Sequence, residues 1–123
     1  MATNDRQLLG IVGENIACAE LQQRGYEILA RRYRTRHGEI DIIAREGETT
    51  VFIEVKTRTG DDFGDGADAV DAWKQRRIAK MAVDFLTRHQ LHDRPCRFDV
   101  VAIDVSGATT AVDVYTHAFD GFE

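Results

Sequence analysis

The sequence predicts an α/β fold in which a central mixed β-sheet is flanked by helices, with elements in the order αβββαββ. Five segments are rich in β-branched and aromatic residues, and the second and third are separated only by a short polar turn. Two longer segments repeat apolar residues at helical spacing, and the second of these lies between the third and fourth strands. Hairpins make neighbouring strands antiparallel, whereas a helical crossover allows a parallel pair, so the sheet is expected to be of mixed direction.

The first helix is predicted over residues 3–24, because apolar residues recur there near helical spacing and Gly25 suits a left-handed stop. Gly10 and Gly13 lie inside this helix. Glycine costs roughly 1 kcal/mol relative to alanine in a helix interior. The two glycines therefore indicate either close packing or an irregular first turn.

The other elements follow from alternating patterns, turn residues and a second apolar stripe. Three strands are predicted at residues 26–34, 39–45 and 50–58, and a Gly/Asp-rich loop follows at 59–67. A helix is predicted at 68–89, and two more strands at 98–105 and 111–119. The loop lacks the alternating ligands and the closing glutamate of a calcium loop. We expect residues 1–123 to form a single domain.

Composition narrows the functional classes. The chain of 123 residues is 43% hydrophobic, and it has no apolar run long enough to span a bilayer. The N-terminal segment lacks a secretory signal, so we expect a cytoplasmic protein without a membrane partner. Cys18 and Cys96 have no metal-ligand spacing and are expected to be reduced and structural. A formal net charge of -5 disfavours a protein that coats nucleic acid by charge alone, but it leaves room for a local basic face.

Charged residues interrupt the second and third predicted strands. Side chains alternate across a strand, so in segment 39–42 the two acids are expected on one face and the two isoleucines on the other. The same rule places Glu54 and Lys56 together on one face of the third strand. This pattern is typical of any half-exposed sheet, and further features are needed to favour a site over a solvated surface.

Three features favour a site. A short turn joins the two strands, so Asp41 and Glu54 can lie close together, where two carboxylates repel unless a cation or proton joins them. Glu14 lies on the small-residue side of the first helix, where an inward-facing carboxylate also requires a cation. Lys56 supplies an ammonium group that can orient a water or stabilise a transition state. Three oxygen donors suit Mg²⁺ or Mn²⁺, and the predicted chemistry is phosphodiester hydrolysis; for Glu39 the pattern favours no particular role.

Segments between residues 13 and 104 resemble a known family. Asp41, twelve intervening residues and Glu54-Val55-Lys56 are similar to the D…(D/E)xK signature of the restriction-endonuclease-like nuclease superfamily. The longer motifs GEIDIIA at 38–44 and FIEVKTR at 52–58 resemble the YraN-like uncharacterised family, which is akin to archaeal Holliday-junction resolvases.

The resemblance implies a restriction-endonuclease-like fold and a site for Mg²⁺ or Mn²⁺. Asp41 and Glu54 would be metal ligands, the Val55 carbonyl would complete the contribution of its strand, and Glu14 would be the acid that resolvase-like members add. Lys56 would be the catalytic lysine, acting with Asp41 and Glu54. The implied substrate is DNA, branched or otherwise structured, and symmetrical cutting of two strands would favour a homodimer.

Several residues outside this motif carry further expectations. The candidate nucleic-acid-binding residues are Lys74, Arg58, Arg34 and Arg36. Solvated surface positions would look the same in sequence. Trp73 and Phe63 are expected in the core or in a lid rather than as base-stacking platforms, and Asp99 is expected to be structural, paired with Arg97 or a helix donor.

The leading hypothesis is a metal-dependent endonuclease that acts on DNA. The alternative is a non-catalytic nucleic-acid-binding module of the same fold, and a third, weaker hypothesis is a metal-dependent phosphoesterase for small nucleotides. Family likeness alone does not decide among them, because proteins of one fold can keep or lose cleavage.

Overall fold

Seven helices and strands follow one another in the described part of the chain. The computed structural model describes residues 5–59, 70–105 and 109–120. Its elements are α1 (Asp5–Gln23), β1 (Glu27–Thr35), β2 (Gly38–Glu46), β3 (Thr49–Arg58), α2 (Ala72–Arg88), β4 (Cys96–Asp104) and β5 (Ala111–Phe119). The predicted α/β class and the order αβββαββ are confirmed. Most of the predicted loop at 59–67 lies outside the described residues, and within them neither helix is long and apolar enough to cross a membrane.

The five strands form one mixed sheet in the order β1-β2-β3-β4-β5. β1 pairs with β2, and β2 with β3, in antiparallel hairpins. β3 and β4 are parallel, with Glu54 opposite Val100, and β5 returns antiparallel to β4. The parallel pair is the one joined through α2, because only a crossover of that length brings a strand back in the same direction. This arrangement is consistent with the nuclease-like fold that the resemblance implies.

Each face of the sheet buries its own apolar cluster. The cluster on the α1 side includes Ala17, Leu21, Ile42, Val51, Ile53 and Val101. The cluster on the α2 side includes Ile43, Phe52, Ile78, Met81, Phe85 and Phe98. β3 is covered on both faces of the sheet. A buried charged side chain on this strand must therefore be paired with other protein groups or with a ligand.

Both helices end or begin at residues with a clear local cause. Gly25 follows α1 with a φ of +94°, in the left-handed region that glycine adopts without strain. α2 begins at Ala72 and not at residue 68 as predicted, because Asp71 is extended and its side chain accepts a hydrogen bond from the Lys74 N–H at 2.8 Å. Residues 68 and 69 lie outside the described residues.

Gly13 sets the distance between α1 and the sheet. A Cβ atom at this position would lie 1.9 Å from Oγ1 of Thr57 in β3, so only glycine allows this approach. Gly10, in contrast, has nothing within 4 Å of its Cβ position. The prediction of close packing is therefore confirmed for Gly13. The contact brings the next residue, Glu14, against the edge of the sheet.

β2 departs from strict alternation where it leaves β3. Its pairing with β3 extends from Glu46 to Ile42, which lies opposite Ile53. Ile42 packs in the cluster on the α1 side, whereas Ile40 packs in the cluster on the α2 side. The expectation that Ile40 and Ile42 share one face was therefore wrong: alternation is interrupted where pairing with β3 ends and where Arg32 of the neighbouring strand has a φ of +53°. The divergence opens the sheet beside Asp41.

Candidate active site

The side chain of Asp41 forms a hydrogen bond with β3 at the point where the backbone hydrogen bonds between β2 and β3 end. Its Oδ2 accepts a hydrogen bond from the Val55 N–H at 2.8 Å. Val55 lies two residues beyond Ile53, the last β3 residue in register with β2. The carboxylate thereby satisfies a strand N–H at the point of divergence and is held next to Glu54.

Glu54 is a buried carboxylate with an incomplete set of partners. The residue is only 3% exposed. Its Oε2 lies 3.1 Å from Nζ of Lys74, which reaches it from α2. Among the described residues, its other oxygen, Oε1, is buried and has no hydrogen-bond partner. A buried, unsatisfied carboxylate oxygen is costly, so this atom requires either a bound cation or a proton shared with the neighbouring Asp41 carboxylate.

The electrostatics of the pair follow from burial and proximity. Burial and the nearby Asp41 carboxylate raise the pKa of Glu54 to about 7, with Lys74 opposing the shift. Burial also raises the pKa of Asp41, although the hydrogen bond from Val55 counteracts this effect. The two carboxylates therefore carry their full negative charge only when a cation or a higher pH stabilises it.

Lys56 lies half-buried on the same strand, two residues beyond Glu54. Burial lowers the pKa of Lys56, and the neighbouring ammonium of Lys74 lowers it further, while Glu54 and Asp41 oppose the decrease. A lysine with a lowered pKa exchanges a proton more readily near neutral pH than an exposed lysine does. The geometry therefore brings Asp41, Glu54 and Lys56 together, as the sequence predicts.

Glu14 reaches the same region from α1 but is engaged by arginines. It is 6% exposed, and its Oε1 lies 3.0 Å from the guanidinium of Arg31. Its Oε2 accepts a hydrogen bond from Nε of Arg32 at 3.3 Å. Arg32 has a φ of +53°, which is uncommon for a residue other than glycine and costs about 1–3 kcal/mol. Sequence reasoning missed both arginines, although an Arg-Arg pair in the first strand was an available signal.

A cleft of about 340 Å³ lies between α1 and the diverging strands. Its lining residues are Gln7, Gly10, Ile11, Glu14, Arg32, Glu39, Asp41 and Val55. Glu39 therefore lies at the cleft, but its Oε2 accepts a hydrogen bond from Nε of Arg34 at 2.8 Å. That pairing gives Glu39 a partner on β1, whereas Asp41 accepts its hydrogen bond from Val55 and interacts with Glu54.

The donor set fits a hard divalent cation in part. Within residues 5–59, 70–105 and 109–120, no three His, Cys, Asp or Glu side chains already converge as a metal site. Asp41 and the unsatisfied Oε1 of Glu54 are the two oxygen donors that suit Mg²⁺ or Mn²⁺. Glu14 is the third acid, but Arg31 and Arg32 now neutralise it. Two carboxylates with room for water are compatible with Mg²⁺, which commonly retains several waters.

Comparison with known sequences identifies the family. The family described as "Uncharacterised protein family UPF0102" matches residues 13–103, which include every residue of the proposed centre. The chain belongs to this family. The YraN-like resemblance seen in the motifs is thereby confirmed.

Individual UPF0102 relatives match over most of their length. A UPF0102 protein of Geobacter metallireducens is 44% identical over 112 residues, which cover 91% of this chain and 92% of the relative. One of Parafrankia sp. is 50% identical over 97 residues, covering 79% and 82%. One of Moorella thermoacetica is 44% identical over 119 residues, covering 95% and 99%. Their names give the family and no activity, so chemistry has to be argued from the site.

The predicted nucleic-acid-binding residues of this UPF0102 chain lie in different environments. Lys74 contacts Glu54 and is part of the carboxylate site. Arg58, at the end of β3, is half-buried and interacts within the protein. Arg34 and the exposed Arg36 instead line a groove of about 410 Å³ between the β1–β2 hairpin and α2. The other residues of this groove are Thr35, His37, Lys80, Asp84 and Arg88.

Trp73 was expected either in the core or in a lid. It is 60% exposed, so the expectation of a core position was wrong. The guanidinium carbon of Arg77 lies 4.5 Å from the centroid of its ring. The apolar stripe of α2 runs through Ile78, Met81 and Phe85, and Trp73 lies outside it. Phe63, the other aromatic residue in that prediction, lies outside the described residues.

Asp99 forms a separate, structural network on β4. It is fully buried, and its Oδ1 accepts hydrogen bonds from Nε of Arg97 at 3.0 Å and from the His117 N–H at 3.2 Å. The Tyr26 hydroxyl donates to its Oδ2 at 3.3 Å. The predicted pairing with Arg97 is confirmed. Because this carboxylate has several partners, unlike Glu54, it requires no further ligand.

Proposed function

We propose that this UPF0102 protein is a metal-dependent endonuclease that hydrolyses phosphodiester bonds in DNA, including branched or otherwise structured DNA. The observation that carries the proposal is the buried pair of Asp41 and Glu54, in which Oε1 of ionised Glu54 has no hydrogen-bond donor among the described residues. A purely structural carboxylate in such a place would be expected to have its hydrogen bonds satisfied, as Asp99 does. An unsatisfied one is typical of a ligand site.

The residues of the site divide the work by position. Asp41 and Glu54 would hold Mg²⁺ or Mn²⁺, and the backbone carbonyl of Val55, on the strand of Glu54, would be a further ligand. Glu14 would join them if Arg31 and Arg32 release it. When bound, such an ion polarises a phosphoryl oxygen and acidifies a water. Lys56 is the candidate for orienting the attacking water or stabilising charge on the phosphate, because its ammonium lies beside both carboxylates.

The basic groove supports DNA as the substrate. Arg34, Arg36, Lys80 and Arg88 line one side of the molecule, at the hairpin that leads into the Asp41 strand. Arginine and lysine side chains in this arrangement are suited to phosphate oxygens. The formal charge of -5 means that such binding would depend on this local groove rather than on overall charge. Symmetrical cutting of two strands would further require two copies of the chain, and we include a homodimer in the proposal.

A cleavage screen tests the activity. Duplex, flap and four-way DNA would be incubated with Mg²⁺ or Mn²⁺ and either the wild-type protein, Glu54→Gln, Lys56→Met or Glu48→Gln. Glu48 is a matched control because it is an exposed acid in the β2–β3 turn that pairs with Arg94. We expect cleavage of at least one substrate by the wild type and Glu48→Gln, and its loss in the other two variants. Absence of cleavage on every substrate, or cleavage that survives Glu54→Gln, would contradict the proposal.

A second candidate is a non-catalytic nucleic-acid-binding module of the same fold. The observation that favours it is the engagement of Glu14 by two arginines, which leaves only two acids for a cation. This candidate predicts salt-sensitive DNA binding that persists in Asp41→Asn and Glu54→Gln and weakens in Arg36→Ala, without cleavage under any condition. Binding and cleavage measured on the same variants distinguish the two candidates.

A further inference from the structure

One face of α2 combines an exposed aromatic residue with a row of charged side chains. The row consists of Trp73, Arg77, Lys80, Asp84 and Arg88. Successive members are separated by four, three, four and four positions, so they follow one face of the helix. The apolar stripe that packs on the sheet occupies a different face. This face is therefore directed away from the core.

Trp73 has one side covered and most of its surface open. It is 60% exposed, and the Arg77 guanidinium lies over its ring at 4.5 Å from the centroid. Arg77 is held against the β1–β2 hairpin, where its Nη2 would lie 2.5 Å from a Cβ atom on Gly38. Gly38 has a φ of +129°, a backbone conformation that favours glycine, and the end of the Arg77 side chain occupies the space where a Cβ atom would lie. The hairpin thereby fixes the arginine that supports the indole.

The groove beside this face has the charge that a nucleic-acid backbone requires. Arg34, Arg36, Lys80 and Arg88 line it. Its acidic member, Asp84, accepts hydrogen bonds from Tyr33 and from Nε of Arg88, so its charge is largely offset. Arg34 is likewise paired with Glu39, so Arg36 and Lys80 supply the excess positive charge along the groove, which favours a chain of phosphates over a basic surface.

Trp73 lies at the end of this row that is next to the proposed active site. The following residue, Lys74, pairs with Glu54. Lys80 is seven residues further along the helix, which corresponds to about 10 Å, and Arg88 lies about 22 Å from Trp73 along the axis. A DNA strand whose phosphates follow the groove would therefore place one nucleotide at Trp73. The same DNA strand would reach the carboxylates close to that nucleotide.

We propose that Trp73 stacks on an unpaired base of the nucleic acid, so that the protein prefers DNA with unpaired or splayed nucleotides to continuous duplex. An indole supported from one side by a guanidinium offers its open side to a base, and this contact is independent of base identity. In a continuous duplex the bases are already stacked on one another and their faces are not available to Trp73. An unpaired base has a free face that can stack on the indole. The inference rests on the proposed function, because it assigns the substrate class to the same protein surface.

Trp73 is the single tryptophan of the chain, so intrinsic fluorescence reports on this residue alone. The experiment titrates the full-length protein in EDTA, which prevents metal-dependent cleavage, with unlabelled oligonucleotides that are single-stranded, forked or fully paired. Anisotropy of labelled copies measures binding in parallel. We expect saturable quenching of tryptophan emission by single-stranded and forked DNA, with little change for the duplex. The same titrations are repeated in Mg²⁺ with Lys56→Met, which keeps both carboxylates and is expected not to cleave, to cover binding that needs the ion.

Three variants separate stacking from other effects. Trp73→Ala should weaken binding to single-stranded and forked DNA about tenfold, as expected for the loss of one stacked base, and leave duplex binding unchanged. Trp73→Phe, which retains an aromatic ring, should restore most of this affinity. Val83→Ala is the matched control because it removes an exposed apolar side chain, 50% exposed, from the same helix. Circular dichroism confirms that each variant is folded.

The outcomes distinguish this inference from the proposed nuclease. Binding without quenching, or an equal loss of affinity for paired and unpaired DNA in Trp73→Ala, overturns the stacking role and leaves the nuclease proposal standing. Failure of all oligonucleotides to bind, in EDTA and in Mg²⁺, overturns both. Quenching with selective loss in Trp73→Ala, combined with no cleavage in any metal, supports the stacking role on a non-catalytic binding module.

Discussion

Nζ of Lys74 lies 3.1 Å from Oε2 of Glu54, so a residue of α2 pairs with a carboxylate in the middle of β3. The glutamate is buried and Lys74 is about one-third exposed, with side-chain accessibilities of 4% and 32%. This pairing links the helix to the candidate site. It also gives Glu54 an internal cation on one oxygen while the other has no hydrogen-bond partner among the described residues.

Removing Lys74 should reduce stability in a way that depends on pH. We expect Lys74→Met to lower the free energy of unfolding by about 1–3 kcal/mol at pH 8, because Glu54 is then charged and buried without its partner. At pH 5 Glu54 is protonated and the loss should be smaller. Urea unfolding at both pH values measures the difference. Lys80→Met, an exposed lysine on the same helix, is the control, and an equal loss at both pH values in Lys74→Met would count against the ion pair.

Glu54 itself should make the protein less stable as pH rises. Its pKa is raised from 4.5 to about 7 in the folded protein, so between these values the folded state binds more protons than the unfolded state. The contribution of Glu54 is therefore fully present below about pH 4.5 and is lost as pH rises through 7. The loss amounts to up to about 3 kcal/mol, since one pKa unit corresponds to about 1.4 kcal/mol.

Glu54→Gln isolates this effect. We expect the variant to be more stable than the wild type at pH 8 and to lose that advantage toward pH 5, as measured by urea unfolding without divalent cations. The same slope in both proteins would show that Glu54 does not titrate in this range.

The two glycines of α1 should respond in opposite ways to alanine. Gly13→Ala places a Cβ 1.9 Å from Oγ1 of Thr57, so we expect a loss of about 1–3 kcal/mol despite the better helix propensity of alanine. Gly10→Ala meets nothing within 4 Å and should gain up to about 1 kcal/mol. Thermal unfolding tests both variants. Thr57→Ala should recover part of the Gly13→Ala loss, and additive effects of the two substitutions would contradict the contact.

Asp99 should behave as a structural carboxylate. Asp99→Ala removes the partner of Arg97, Tyr26 and the His117 N–H from a fully buried position, and we expect a loss of about 3–5 kcal/mol. Denaturant unfolding measures the loss. Mn²⁺ should still increase the stability of the folded variant as it does for the wild type. Loss of this stabilisation by Mn²⁺ in the variant alone would place Asp99 in the metal site.

The parts of the site that follow from local pattern were predictable from sequence. Alternation along β3 puts Glu54 and Lys56 on one face, and the short turn brings Asp41 beside Glu54, so that constellation depends only on neighbouring strands. The contact of Lys74 with Glu54 depends on how α2 docks on the sheet. The periodicity of apolar residues in the sequence does not specify how the helix docks.

Two other features also depend on contacts that the sequence pattern does not specify. Glu14 has the inward position expected of a ligand, but the irregular backbone at Arg32 turns arginines of β1 toward it. Trp73 was expected in the core or in a lid, and its position outside the apolar stripe becomes visible only when the helix faces are known. Both features depend on tertiary contacts rather than on secondary structure, which the sequence predicts closely.

The central claim, that Asp41 and Glu54 form a site for a divalent cation, is tested most directly by titrating Mn²⁺ into the metal-free protein at pH 8. Calorimetry and the thermal midpoint would be followed for the wild type, Asp41→Asn, Glu54→Gln and the surface control Glu48→Gln. We predict saturable binding and a rise in the midpoint for the wild type and Glu48→Gln, and neither response for the other two. Absence of binding by the wild type, or binding of equal strength by Glu54→Gln, would contradict the account.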